Sequence, residues 1–201
     1  MRFEISKFDE LLGGVEGGRV VLIESVGDLG LRIALGFLKN AVAEGRRVFA
    51  VVSKRLREDV GKCLGNVRVL VPDEEFTLHE LFTVSLAMKR VEENVGLVDI
   101  LQPLLIIHSP EKVYQLFQDI CEMVRERKGI LLATIDKKLV DGKVLAMFES
   151  EADYVIEIEE VVEGLRIRRG IRVKRNPKKP PTKFYELLVD ENGMRLGERI
   201  D

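Results

Sequence analysis

The sequence predicts an α/β fold in three layers, with helices covering both faces of a mostly parallel sheet and an antiparallel edge at the C-terminal end. Two observations carry this. Between residues 19 and 150, short apolar runs alternate with helical patterns, an order that demands parallel strands joined by covering crossovers. After residue 150 the rhythm changes to short strands that follow one another directly, as hairpins do.

Element by element, Arg19-Val20-Val21-Leu22-Ile23-Glu24 is an apolar run approached from Gly17-Gly18. It leads into Gly27-Asp28-Leu29-Gly30, and a helical pattern then continues to about Glu44. Gly45 stops that helix, and Arg47 to Val52 reads as a second buried strand. A short helix from Leu56 to Cys63 precedes the β-branched run Val67 to Val71, closed by Pro72. A longer helix is expected from Thr77 to Asn94. Leu104-Leu105-Ile106-Ile107 is the next apolar run, read as a strand; a helix from Glu111 to Lys128 follows, then the strand Gly129 to Thr134 and a helix from Leu139 to Ser150. Tyr154 to Glu160, Leu165 to Lys174 and Phe184 to Val189 are the antiparallel strands, the last ending in the turn Asp190-Glu191-Asn192-Gly193. Asn176-Pro177-Lys178-Lys179-Pro180-Pro181 reads as a stiff exposed loop. The whole chain, 1–201, is expected to be one domain: an N-terminal lead-in over 1–18, an α/β core over 19–150, and C-terminal strands with a basic ribbon over 151–201.

Composition narrows the class. A hydrophobic fraction of 46% beside 33% charged residues is that of a globular protein. The apolar runs are too short for a membrane span and Met1-Arg2-Phe3-Glu4 lacks targeting character, so the expectation is a cytoplasmic protein with no membrane partner. Cys63 and Cys121 fall in predicted helices without metal-ligand spacing and read as buried free thiols. Abundant Lys, Arg and Glu with little Gln hints at a hot environment.

Phe8-Asp9-Glu10-Leu11-Leu12-Gly13-Gly14-Val15-Glu16-Gly17-Gly18 resembles the lead-in of the RecA-like P-loop ATPases of the KaiC and RadA branch, a Leu-Asp-x-Leu-Leu-Gly-Gly-Gly run that passes through a glycine into the first strand. The resemblance extends in order over nearly the whole chain and implies a RecA-like core. It also implies a phosphate loop, G-x-x-x-x-G-K-[ST], whose backbone N–H groups cradle phosphates while Lys and a hydroxyl reach the γ-phosphate and magnesium. The matching residues are Ser25, Val26, Gly27, Asp28, Leu29, Gly30, Leu31 and Arg32, preceded by Glu24. Without gaps, Glu24 takes the place of the first Gly, Leu29 the second, Gly30 the Lys and Leu31 the hydroxyl. Moving the register by one puts Leu31 at the Lys and Arg32 at the hydroxyl, so no register restores the motif. Glu24 and Asp28 would oppose a triphosphate at roughly 4 kcal/mol per close pair at intermediate screening, against about 1 kcal/mol from the helix dipole.

The resemblance also implies a magnesium-holding Asp at the end of an apolar strand, and here Leu104 to Ile107 ends in His108-Ser109, a poor ligand for that hard cation. It implies a glutamate after the second strand, where Val52-Ser53-Lys54-Arg55 has no carboxylate. His108 is read as a strand-end histidine bonded to a neighbour, His79 as a surface residue, and Asp136 as a helix N-cap in preference to a pocket residue. Ser25 lacks a nucleophile setting. No catalytic residue, metal site or cofactor is expected, ATP being the disfavoured alternative.

The net charge of −2 conceals an asymmetry: from Gly164 to Lys183 there are nine cations and no acid. Arg166, Arg168, Arg172 and Lys174 alternate with Leu165, Ile167, Ile171 and Val173, which makes one strand face basic; Arg175, Lys178 and Lys179 extend it. The resemblance places Lys174-Arg175 near an element that reaches the nucleotide of a neighbouring subunit. Three readings of the stripe stay open: nucleic-acid phosphates, an acidic protein surface, or a charged edge strand that blocks aggregation. The expected function is a non-catalytic pseudo-ATPase that works by binding protein, as a homo-oligomer or beside a RecA-like relative. The alternatives are a nucleic-acid-binding accessory factor and an atypical ATP-binding protein.

Overall fold

A computed structural model of the chain describes residues 1–3, 5–163, 166–190 and 193–200, with the side chains of Ser6, Glu163 and Arg166 outside that description. Leu165, at the expected start of a strand, and Glu191-Asn192 of the expected turn lie outside the described residues. The fold is α/β. Among the described residues nine strands form one sheet, in the order β3-β2-β4-β5-β1-β6-β7-β8-β9. The strands are β1 Arg19–Ser25, β2 Val48–Val51, β3 Val67–Leu70, β4 Val95–Val98, β5 Ile130–Asp136, β6 Tyr154–Glu163, β7 Arg166–Arg175, β8 Phe184–Asp190 and β9 Gly193–Ile200. The first six run parallel, and β7 to β9 add an antiparallel edge.

Helices pack on both faces. On one, Val21 and Ile23 of β1 meet Ile33, Phe37 and Leu38 of α2 (Leu29–Ala43), with α1 (Ser6–Leu12) and α3 (Arg57–Leu64) beside them. On the other, Val20 and Leu22 meet Phe117, Ile120 and Val124 of α6 (Pro110–Glu126), together with α4 (Leu81–Lys89), α5 (Leu101–Ile107) and α7 (Gly142–Glu151). The alternation of side chains along a strand feeds both cores. Pro110 opens α6 at a position where no backbone N–H is needed. Gly45, at φ 76°, follows the last turn of α2 in the left-handed conformation that commonly closes a helix.

Four expectations change. The run Leu104 to Ile107 is part of the helix α5, while the strand at that point of the chain is β4. The helix expected from Thr77 to Asn94 is the shorter α4. Cys63 is exposed, and only Cys121 is buried. The basic strand β7 is not an edge, because it lies between β6 and β8. Among the described residues no helix is long and apolar enough to cross a membrane.

Candidate functional site

All six parallel strands end on one side of the sheet. There the chain leaves β1 toward β2 across one face and leaves β5 toward β6 across the other, so the crevice between β1 and β5 is where open sheets of this kind hold ligands. A cleft of about 470 Å³ lies there, lined by Ser25, Gly27, Asp28 and Leu31 from the first strand and helix. Ser53, Arg55 and Leu56 follow β2, Asp99, Gln102 and Pro103 follow β4, and Thr134, Ile135 and Asp136 end β5.

The loop between β1 and α2 is closed on itself. The Gly30 N–H donates to Ser25 Oγ at 3.1 Å, and the Gly27 N–H donates to Asp136 Oδ2 at 3.2 Å. Ser25 Oγ in turn donates to the Gly27 carbonyl at 3.4 Å, and the Lys137 N–H to the Ser25 carbonyl at 3.0 Å. In a phosphate cradle such N–H groups face the ligand; here two of them are held by the protein's own side chains. Gly30 also has no room for a side chain, since a Cβ there would lie 2.6 Å from Ser25 Oγ and 3.3 Å from Ile23 Cγ2. Leu29 is buried, Leu31 lines the cleft and Arg32 is exposed, while Val26 is half-buried.

The strand end expected at His108 lies elsewhere in the chain. His108 follows α5, not a strand, and its Nε2 lies 2.7 Å from the Leu78 carbonyl. The strand in question is Val95–Val98, and the residue after it is an acid, Asp99, at the mouth of the cleft. An aspartate therefore stands at the strand end where His108 was expected. Asp99 accepts a hydrogen bond from Thr134 Oγ1, and burial pushes its carboxyl above the usual range while that bond pulls it down. The signal was in the sequence, as an apolar run that ends in an acid, but the more apolar run downstream obscured it.

Asp136 is a cleft residue, not a helix cap. It closes the loop through Gly27, and the cap of α7 is Asp141, whose carboxylate accepts from the N–H groups of Lys143 and Val144 at 2.8 and 2.9 Å. His79 is exposed.

Five cations of the basic ribbon are paired with acids of the same chain. Strand β6 is acidic where β7 is basic, and their register places Glu157 opposite Arg172, Glu160 opposite Arg169 and Glu163 opposite Arg166. Arg172 pairs with Glu157 at 2.6 Å and lies over the Phe184 ring at 4.6 Å; Arg169 pairs with Glu160 at 2.9 Å and Arg168 with Glu186 at 3.3 Å. Lys174 turns inward to Glu149 at 2.7 Å and Glu24 at 3.4 Å. Arg175 donates to the carbonyls of Glu149 and Ala152, Lys178 pairs with Glu16, and Lys179 donates to the Glu10 carbonyl at 2.6 Å. Glu157, with only 8% of its side chain exposed, is held on its other side by Lys137 at 2.6 Å. Burial would raise the Glu157 carboxyl, but the bonds from Lys137 and Arg172 outweigh it and hold it below the usual range. The Arg166 side chain lies outside the description.

No family model and no curated protein matches the chain. Among the described residues, no group of three or more His, Cys, Asp or Glu is placed to hold a metal ion.

Proposed function

We propose that the protein is a non-catalytic relative of the RecA-like KaiC and RadA ATPases, a pseudo-ATPase that acts by binding protein, as a homo-oligomer or beside an active relative. The observation that carries this is the loop between β1 and α2. Two of its N–H groups are taken by Ser25 and Asp136, and the position of the phosphate-binding Lys is a glycine with no space for a Cβ. A triphosphate would have to displace the Asp136 carboxylate and then lie beside Asp28 and Asp99, with Arg55 the one cation lining the cleft among the described residues. Asp99 keeps an acid at the strand end, but without the lysine and hydroxyl the phosphate clamp lacks its main parts.

Protein contact is supported by large apolar side chains left in solvent. Phe82 and Leu86 lie one turn apart on α4, and Ile106 and Ile107 end α5, whose last residues are tied by His108 to the segment leading into α4. The pairing of the ribbon's cations with nearby acids removes the main support for a nucleic-acid partner.

Calorimetry with Mg-ATP and Mg-ADP at physiological nucleotide concentration is expected to give no binding heat, and saturable binding would refute the reading. Light scattering on the purified protein, alone and with Phe82→Glu, tests the binding role. A mass above the monomer that falls in the variant supports self-assembly.

A further inference from the structure

Glu24, next to last in β1, is fully buried, and its Oε1 has no hydrogen-bond partner. The charged groups around it and around its neighbour Glu157 come from four elements. Strand β6 brings Glu157, which stands opposite Glu24 in the sheet. Strand β7 brings Arg172 and Lys174, α7 brings Glu149, and the segment after β5 brings Lys137. Glu157 already takes both Lys137 and Arg172. One ammonium, that of Lys174, is left for the carboxyls of Glu24 and Glu149, at 3.4 and 2.7 Å.

The backbone places Lys174 there deliberately. The β6–β7 register passes from Ile156↔Val173 to Val155↔Arg175, so Lys174 is the extra residue of a bulge, a device that re-aims a side chain. The helix it reaches is lightly anchored, because Phe148 is the one fully buried side chain among the ten residues of α7. Elements with so little buried apolar surface belong to the low-stability end of a fold. Their docking depends on polar contacts, here Lys174 with Glu149 and Arg175 with the Glu149 carbonyl toward β7, and Arg125 with Glu151 toward α6.

We propose that Glu24, Glu149 and Lys174 form a protonation-dependent latch that holds α7 against β1 and β7. It is closed while the Glu24 carboxyl keeps its proton and is loosened when that proton leaves. A fully buried carboxylate that must share a single counter-charge with a second carboxylate ionises at high cost. Burial, then the neighbouring Glu149, pushes the Glu24 carboxyl up to about 8, with Lys174 pulling the other way. Burial pulls Lys174 down, but Glu149 and Glu24 outweigh it, so the ammonium stays charged. The sign follows from linkage. An acid raised in the closed state binds its proton more tightly there than in the open state, so closure is favoured most below pH 4.5 and weakens as pH rises toward about 8.

Two measurements on the full chain test this. Carbon-13 NMR of the glutamate side-chain carboxyls should show one glutamate titrating near pH 8, absent in Glu24→Gln; a wild-type chain in which every glutamate titrates below about 6 overturns the proposal. Hydrogen exchange of α7 and β5 amides, corrected for intrinsic rates, should show α7 losing at least about tenfold more protection than β5 between roughly pH 5.5 and 7.5, within the hundredfold ceiling for one linked proton. In Glu24→Gln this excess should vanish. An α7 that tracks β5 throughout, or an excess loss that survives in Glu24→Gln, also overturns it, and the wild-type NMR titration decides the matter if that variant does not fold.

Discussion

If the Gly30 N–H is spent on the Ser25 hydroxyl, the two residues must be energetically coupled, and a double-mutant cycle measures by how much. A Cβ at Gly30 meets Ser25 Oγ at 2.6 Å, Ser25 Cβ at 3.2 Å and Ile23 Cγ2 at 3.3 Å. Gly30→Ala alone must push the hydroxyl off its N–H or shift the backbone. Overpacking costs about 1–3 kcal/mol, and the lost hydrogen bond about 1 kcal/mol, against at most about 1 kcal/mol gained in helix propensity. The net expectation is a loss of about 1–3 kcal/mol. Ser25→Ala alone leaves a buried N–H without its partner, at about 1–2 kcal/mol. In the Ser25→Ala background the closest obstacle is gone and the remaining contacts are merely tight, so Gly30→Ala should then change stability by less than about 0.5 kcal/mol. Urea unfolding of the four proteins should therefore give a coupling above about 0.5 kcal/mol and up to about 3 kcal/mol. Additivity within about 0.5 kcal/mol, or a stabilising Gly30→Ala, would refute the closed-loop geometry.

Other substitutions probe the rest of the site. Burial holds the Asp99 carboxyl above its usual range, so its ionisation costs stability as pH rises past 3.8; Asp99→Asn should match the wild type at low pH and exceed it at neutral pH in thermal unfolding. Glu157 has the opposite sign: its carboxyl is held below 4.5, so its stabilisation is present above that pH and is lost as pH falls. Arg172→Met should cost about 1–3 kcal/mol at neutral pH and flatten this acid-side slope. Phe148→Ala, which empties the space against Tyr114 and Phe117, should cost about 3–5 kcal/mol by urea unfolding. Fluorescence titration with short DNA or RNA should show no specific binding at about 0.15 M salt, because five of the ribbon's cations are already paired with the protein's own acids.

Much of this fold was legible from residue order, and the misses have identifiable causes. β1, α2, β2 and β5 were read because each combines an apolar run with a glycine stop or start. β4 was passed over because it is four residues long with Gly96 inside it. The missing side chain is supplied by another strand, since a Cβ at Gly96 would fall 2.0 Å from the Phe49 ring. Leu104 to Ile107 drew the strand reading because a continuous apolar run has no period to separate strand from helix. Yet Ile106 and Ile107 are exposed, which sequence alone does not announce. That substitution of one strand for another is why His108 was named and Asp99 was not. The pairing of the ribbon's cations is hidden from the sequence for a different reason. A charge count along the chain sees β7 alone, whereas its neutralisation depends on a cross-strand register with β6 and on Glu24 and Glu149, which are distant in sequence. The loop's missing lysine was read directly, but its closure by Asp136 required the pairing of β1 with β5, which sets Ser25 beside Asp136.

The ladder of opposite charges along β6, β7 and β8 has a bearing on how this side of the molecule meets others. Cations and anions held about 3 Å apart form a row of short dipoles, whose field fades with distance much faster than that of the isolated charges the linear count suggests. A partner approaching from solution would feel little pull until it touched. Recognition at this flank must therefore rest on fit and on the stripping of water at contact, and its strength should vary little between dilute and concentrated salt.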